Sequence, residues 1–225
     1  MKKLMLVICF LSVGRLGWAQ SAPPLGSAQS FAVLGGSTVT NTGATVVTGD
    51  LGVSPGTAVT GFPPGSVTGG TSHAGDATAT AAQAGAHKAY QDLVAEPCGT
   101  NLTGKTLGTS PGAVTLSPGV YCFDSSAQLT GTLTLNGSGV YVFKIGSTLT
   151  TASKSSVVLA KGATAGNVFW QVTSSATLGT NTAFEGSILA MISDTVTTGA
   201  SVSGRVFALT GSVTLSGNRI RAASK

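Results

Sequence analysis

Charge is scarce in this chain: Asp, Glu, Lys and Arg make up 8% of its 225 residues, and aromatic residues another 6%. The seven acids are Asp50, Asp76, Asp92, Glu96, Asp124, Glu185 and Asp194. Glycoside hydrolysis needs two carboxylates across one bond, and acid-bound metal chemistry needs several oxygens around one ion. None of the seven has an acidic partner at the repeat spacing described below; Glu185 is expected to pair with Arg205 at a corner. Only two histidines occur, and His73 with Asp76, three residues apart, stands without further ligands. The serines form no Gly-x-Ser-x-Gly elbow. The sequence therefore predicts no catalytic residue, no metal and no cofactor, and the chain does not read as an enzyme.

Cysteine is scarce too, and its placement follows from export. Residues 1–19 read as a secretory leader: Lys2 and Lys3 begin it, an apolar run follows, and Gly17-Trp18-Ala19 offers a small-x-small cleavage site. That run is too short to span a bilayer. Cleavage would remove Cys9, leaving Cys98 and Cys122 in an oxidising compartment, where a disulfide is expected. It would also remove Lys2, Lys3 and Arg15, leaving nine basic residues against seven acidic ones, a net charge of about +2. No basic stripe remains, so nucleic-acid or anionic-membrane binding loses its support.

What is abundant is glycine and threonine, 32 of each. From Gly166 to Ile220 an apolar strand alternates with a Thr/Ser/Gly-rich one. Superposing Gly166, Gly186 and Gly204 aligns Val168, Ile188 and Val206, then Trp170, Ala190 and Ala208. Repeats of about this length, turned by glycine, describe a parallel β-solenoid. Gly119-Val-Tyr-Cys-Phe and Gly139-Val-Tyr-Val-Phe recur 20 residues apart, and Leu129 and Leu149 follow the same step. Coil length stretches near residues 154–165. Thr38-Val-Thr-Asn-Thr-Gly-Ala-Thr-Val46 resembles Thr195-Val-Thr-Thr-Gly-Ala-Ser-Val202, so the N-terminal segment is read as another coil. Residues 77–96 form an alanine-rich helix capped by Asp76 and ended by Pro97, with Ala82, Ala86, Ala89, Tyr90 and Leu93 on one face. Trp170, Phe169 and Phe207 fall at core spacing. Residues 20–225 read as a single domain.

The same small residues recur along the polar strands, in Thr42-Gly-Ala-Thr45, Thr130-Gly-Thr132, Thr150-Thr151-Ala-Ser153, Thr180-Asn-Thr182, Thr198-Gly-Ala-Ser201 and Ser216-Gly-Asn218. Equivalent positions in stacked coils lie about 4.8 Å apart, so these residues would form a stiff, uncharged array of hydroxyl and methyl groups. A regular array of that kind suits another regular array.

Together with the Phe31–Gly56 stretch, the Thr71-Ser-His-Ala-Gly-Asp76 helix entry and Val168-Phe-Trp-Gln-Val, these motifs resemble the microbial β-helical ice-binding (antifreeze) protein family over nearly the whole mature chain. The resemblance implies a discontinuous right-handed parallel β-helix, an all-β solenoid of triangular cross-section with one long α-helix alongside. It also implies adsorption to ice through one flat face bearing Thr-Ala/Gly-x-Thr/Asn motifs. The pattern fits Thr42 to Thr45 fully, Thr198 to Ser201 with a final Ser, and the stretch at Thr151 only in part, with Lys154 and Arg219 as departures. Residues 97–122 resemble a capping insertion. The expected partner is an ice crystal surface, met by a secreted monomer. The other binding class weighed is an adhesin-type or carbohydrate-binding surface module, for which no tandem domains, sorting signal or anchor are visible in the sequence.

Overall fold

The computed structural model describes residues 21–109 and 111–223; the expected leader lies outside the described residues. Three parallel sheets form the three sides of a β-helix of triangular cross-section. Sheet A stacks nine strands in the order Ser72–Ala74, Asp50–Val53, Phe31–Gly35, Val206–Ala208, Ser187–Ala190, Val168–Val172, Tyr141–Ile145, Gly119–Phe123 and Thr100–Asn101. Sheet B follows each turn with seven strands and sheet C with eight. The last coil lies against the first, Val206 pairing with Val33 and Arg219 with Val46, so the N-terminal segment is a coil as expected.

Alternation builds the interior. Leu133, Leu135, Val157, Phe184, Val202 and Ile220 point inward from sheet C, and Leu129, Leu149, Leu178, Val196 and Leu215 from sheet B. Tyr121, Phe143 and Trp170 stack in sequence at centroid separations of 5.5 and 3.8 Å, and the Trp170 indole N–H donates to the Glu185 carbonyl. Where coils press closest, only glycine fits. At Gly204 φ is +156°, and a Cβ there would collide with the Gly186 carbonyl.

The helix, Ala77–Ala95, lies along sheet A. Its alanine face and Leu93 pack on Phe31, Leu34, Phe169, Leu189 and Phe207, a second core outside the barrel. Asp76 caps its start by accepting from Ala79 N at 2.8 Å. At its end the Lys144 ammonium donates to the Val94 and Glu96 carbonyls, which suits the negative pole of the helix. Beyond it, Thr100–Asn101 extends sheet A and Thr115–Leu116 extends sheet C, while buried Leu107 plugs the end of the barrel. The Cys98–Cys122 disulfide ties this cap to sheet A, with Cα atoms 5.9 Å apart.

Three expectations are corrected. Gly119 pairs with Tyr141 and Ala127 with Leu149, so the step is 22 residues rather than 20. Trp170 pairs with Ile188, a step of 18. Both slips are of two residues, which keeps every side chain on its own face and so leaves no mark in the apolar pattern. The longer step is absorbed at Gly137 and Gly139, both at positive φ; the shorter one arises because Gly166 sits in a 3-10 turn, Ala165–Asn167, and is not the equivalent of Gly186. The 27-residue coil from Tyr141 to Val168 holds the expected insertion. Finally, Arg205 does not pair with Glu185. Its guanidinium donates to the Gln29 and Ala223 carbonyls, and burial lowers its pKa to about 10.

Candidate functional site

With sheet A under the helix, the outer faces of sheets B and C remain open, and they differ in kind. In sheet B the central outward position of successive strands is Gln128, Thr150, Thr177, Thr195, Thr214, Thr40 and Thr60, each paired directly with the next. Six threonines follow one another over about 24 Å, at about 4.8 Å per step. Each is held in its strand by inward neighbours such as Ala176 and Leu178 or Val213 and Leu215. β-Branching limits χ1, so methyl and hydroxyl groups repeat in a fixed arrangement.

A second column of hydroxyls runs along the corner with sheet A. Ser126 and Thr148 hydroxyls are 2.8 Å apart, Ser175 Oγ accepts from Ser193 N, and Ser193 Oγ accepts from Ser212 N. These bonds tie coil to coil beside the threonines. The strands of sheet B present no charged group outward: Asp194, the one acid among them, turns inward and is buried, where desolvation raises its pKa well above 3.8.

Sheet C is irregular by comparison. Its outward positions include Thr132, Thr134, Val158, Glu185, Ser201, Ser203, Arg219, Arg221, Val46 and Thr48. Partial burial raises the Glu185 pKa, and a hydrogen bond with Ser203 opposes that.

The sequence-predicted residues divide between surface, corner and interior. Thr150 belongs to the sheet B column; Thr42 and Ser216 pair at its margin, where the Ser216 hydroxyl meets that of Thr198 at 3.0 Å. Thr180 and Ser153 lie exposed in turns, and Thr130 is half-buried in another. Thr132 and Ser201 belong to sheet C. Thr45, Thr151, Thr182 and Asn218 are a correction: they are 0–3% exposed and cannot meet a surface. They point into the corner between sheets B and C and satisfy the backbone that turns there. The Thr151 and Thr182 hydroxyls are 2.8 Å apart, Thr151 Oγ1 accepts from Gly179 N, Thr45 Oγ1 accepts from Asn218 N, and Asn218 Nδ2 donates to Thr197 and Ala200 carbonyls. Lys154 and Arg219 lie off sheet B, so neither roughens its face.

Sequence reasoning missed Thr40, Thr60, Thr177, Thr195 and Thr214. At Thr177 and Thr214 the signal is an apolar-Thr-apolar triplet, Ala176-Thr177-Leu178 and Val213-Thr214-Leu215, just upstream of a polar cluster; Thr40, Thr60 and Thr195 lack it, with Asn41, Gly61 and Asp194 on one side.

At the helix entry the His73 ring links Thr71 Oγ1 and Asp76 Oδ2, each at 2.8 Å. Asp76 is held below the usual carboxylate range, first by the Ala79 N–H and then by His73. Its other oxygen being committed to the cap, this chain of bonds fixes the start of the helix.

The family model described as ice-binding-like matches residues 33–221. The chain belongs to that family. Among ice-binding-like proteins, it is 49% identical over 222 residues to an ice-binding protein of Nostoc sp. (strain HG1), covering 96% of this chain and 80% of the relative. An ice-binding protein from an Antarctic biological consortium, solved by crystallography, superposes with a TM-score of 0.86 at 43% identity, over 92% of this chain and 94% of that one. That from the Antarctic ascomycete Antarctomyces psychrotrophicus gives 0.84 at 38%, over 91% and 100%. These ice-binding-like relatives carry the names of binding proteins and not of enzymes.

Proposed function

We propose that this protein binds ice through the outer face of sheet B, with Thr150, Thr177, Thr195, Thr214, Thr40 and Thr60 as the central contacts and the corner serines and threonines beside them. One observation carries the assignment to this face: six threonines occupy the same outward register in consecutive strands, with no charge among them. Hydroxyl and methyl groups held at a strand repeat can order water in an ice-like arrangement. A face fixed by backbone pairing on both sides gives up little entropy when it adsorbs. Bound molecules then force the crystal to grow in curved fronts between them, which opposes further growth and recrystallisation. The protein acts by adsorption, without catalysis, after export directed by residues 1–19 as a single mature domain.

Exposed Thr177→Lys would place a long cation in the middle of the array, and Ser203→Lys would add the same charge to sheet C. The first should abolish crystal shaping and thermal hysteresis in nanolitre osmometry while circular dichroism stays unchanged; the second should leave both. Loss of activity in the Ser203 variant with activity kept in the Thr177 variant would move the site to sheet C.

A further inference from the structure

Sheet C breaks the neutrality of the open surface at one strand, Arg219–Arg221. Both arginines are exposed and point outward on either side of buried Ile220, about 6.6 Å apart along the strand. Ser201 and Ser203 flank them on one neighbouring strand, and Val46 and Thr48 on the other. Together these residues line an open trough of about 230 Å³. The ion pairs among the described residues, His73–Asp76 and Lys88–Asp92, involve neither arginine. Glu185, the acid of this face, lies two strands away, beyond Ser203. Gly204 N donates to the Arg221 carbonyl, so buried Arg205 begins the adjoining corner. That guanidinium donates to the Gln29 and Ala223 carbonyls and does not line the trough.

We infer that this trough binds an acidic polysaccharide, a sugar chain bearing carboxylate or sulfate groups. Guanidinium groups match such anions with paired, charge-assisted hydrogen bonds. The hydroxyls of Ser201, Ser203 and Thr48 stand beside them, donors and acceptors suited to sugar hydroxyls. Duplex nucleic acid needs a longer run of cations than this strand supplies. Single strands need exposed aromatic rings for stacking, and Phe184, the aromatic residue of the sheet C strands, is buried inward. The site is separate from sheet B, so the protein could hold ice with one face and an anionic matrix with another.

The test is affinity electrophoresis of the mature protein through alginate, which carries carboxylates, dextran sulfate, neutral dextran and duplex DNA, with ice shaping measured on the same samples. Retardation by alginate or dextran sulfate, weakened about tenfold or more in Arg219→Ser/Arg221→Ser, would support the inference. Lys88→Gln/Lys105→Gln removes the same charge from exposed positions elsewhere and should leave retardation unchanged. Equal weakening in the two double variants would reduce the effect to net charge and overturn the inference. So would retardation by neutral dextran to the same extent, by DNA in preference, or by neither polyanion. Ice shaping should survive in the arginine variant; its loss would join the trough to the ice face and overturn a separate site.

Discussion

Asn at position 194 should make the protein more stable at neutral pH, by a margin that grows with pH. Asp194 stands immediately before Thr195 but faces inward, at a register shared with Leu149, Ala176, Val213 and Val39. It is 1% exposed, and neither carboxylate oxygen has a hydrogen-bond partner among the described residues. Desolvation therefore raises its pKa well above the ordinary value, while in the unfolded chain the group titrates near 3.9. Between those two points the folded protein keeps a proton that the unfolded chain has released. The stabilising effect is fully present below about pH 4 and is lost as pH rises toward the folded pKa, by about 1.4 kcal/mol per pH unit. Asn has the same shape and does not ionise, so Asp194→Asn should lack this slope. Urea unfolding of both proteins from pH 4 upward, disulfide intact, measures the difference directly. Parallel stability profiles, or an Asn variant less stable at every pH, would refute the argument. The same titration bears on ice adsorption, because a charge forming behind Thr195 would strain the strand at the middle of the threonine column.

Gln128→Thr should extend that column by one strand and raise thermal hysteresis at fixed concentration; an unchanged value in osmometry would show that the column's capped end does not touch ice. Thr182→Val removes a buried hydroxyl bonded to Thr151 and the Ala152 carbonyl, and should cost about 1–3 kcal/mol in thermal or urea unfolding while leaving ice shaping intact in the cold. Replacing both Cys98 and Cys122 with Ser, which opens a 24-residue separation, should cost about 3 kcal/mol on the chain-entropy model. A loss under about 1 kcal/mol in denaturant titration would mean that the cap is held by its strand pairing and Leu107 alone.

The helix was legible in the sequence because its signals are local: Asp76 at the cap, alanines three and four apart, and Pro97 past the end. The parallel solenoid was legible from its period. Register was not, since a two-residue slip preserves the inward set; the stacking of Tyr121 on Phe143 and of Phe143 on Trp170 is a contact between coils that no single coil reveals. The threonine face was only half legible for a related reason. Thr177 and Thr182 are the same residue type five positions apart, yet one stands on a flat strand and the other turns into a corner to satisfy backbone. Composition marks both as polar, and only the position of the turn separates them.

The pairing of the last coil with the first has a consequence for growth of the molecule. An ordinary solenoid gains or loses units at its ends, and can nucleate anywhere along the stack. Here the junction in mid-stack joins residues as far apart in sequence as Thr40 and Thr214, 174 positions. Such closure depends on contacts of very high sequence separation, which slows folding. It also means that the chain cannot lengthen its threonine column simply by continuing past its last coil, because that place is already occupied by residues 31–48. A longer array requires a new unit spliced into the interior of the gene, most simply another 18-residue coil like those that bring Trp170 over Ile188 and Ile188 over Val206.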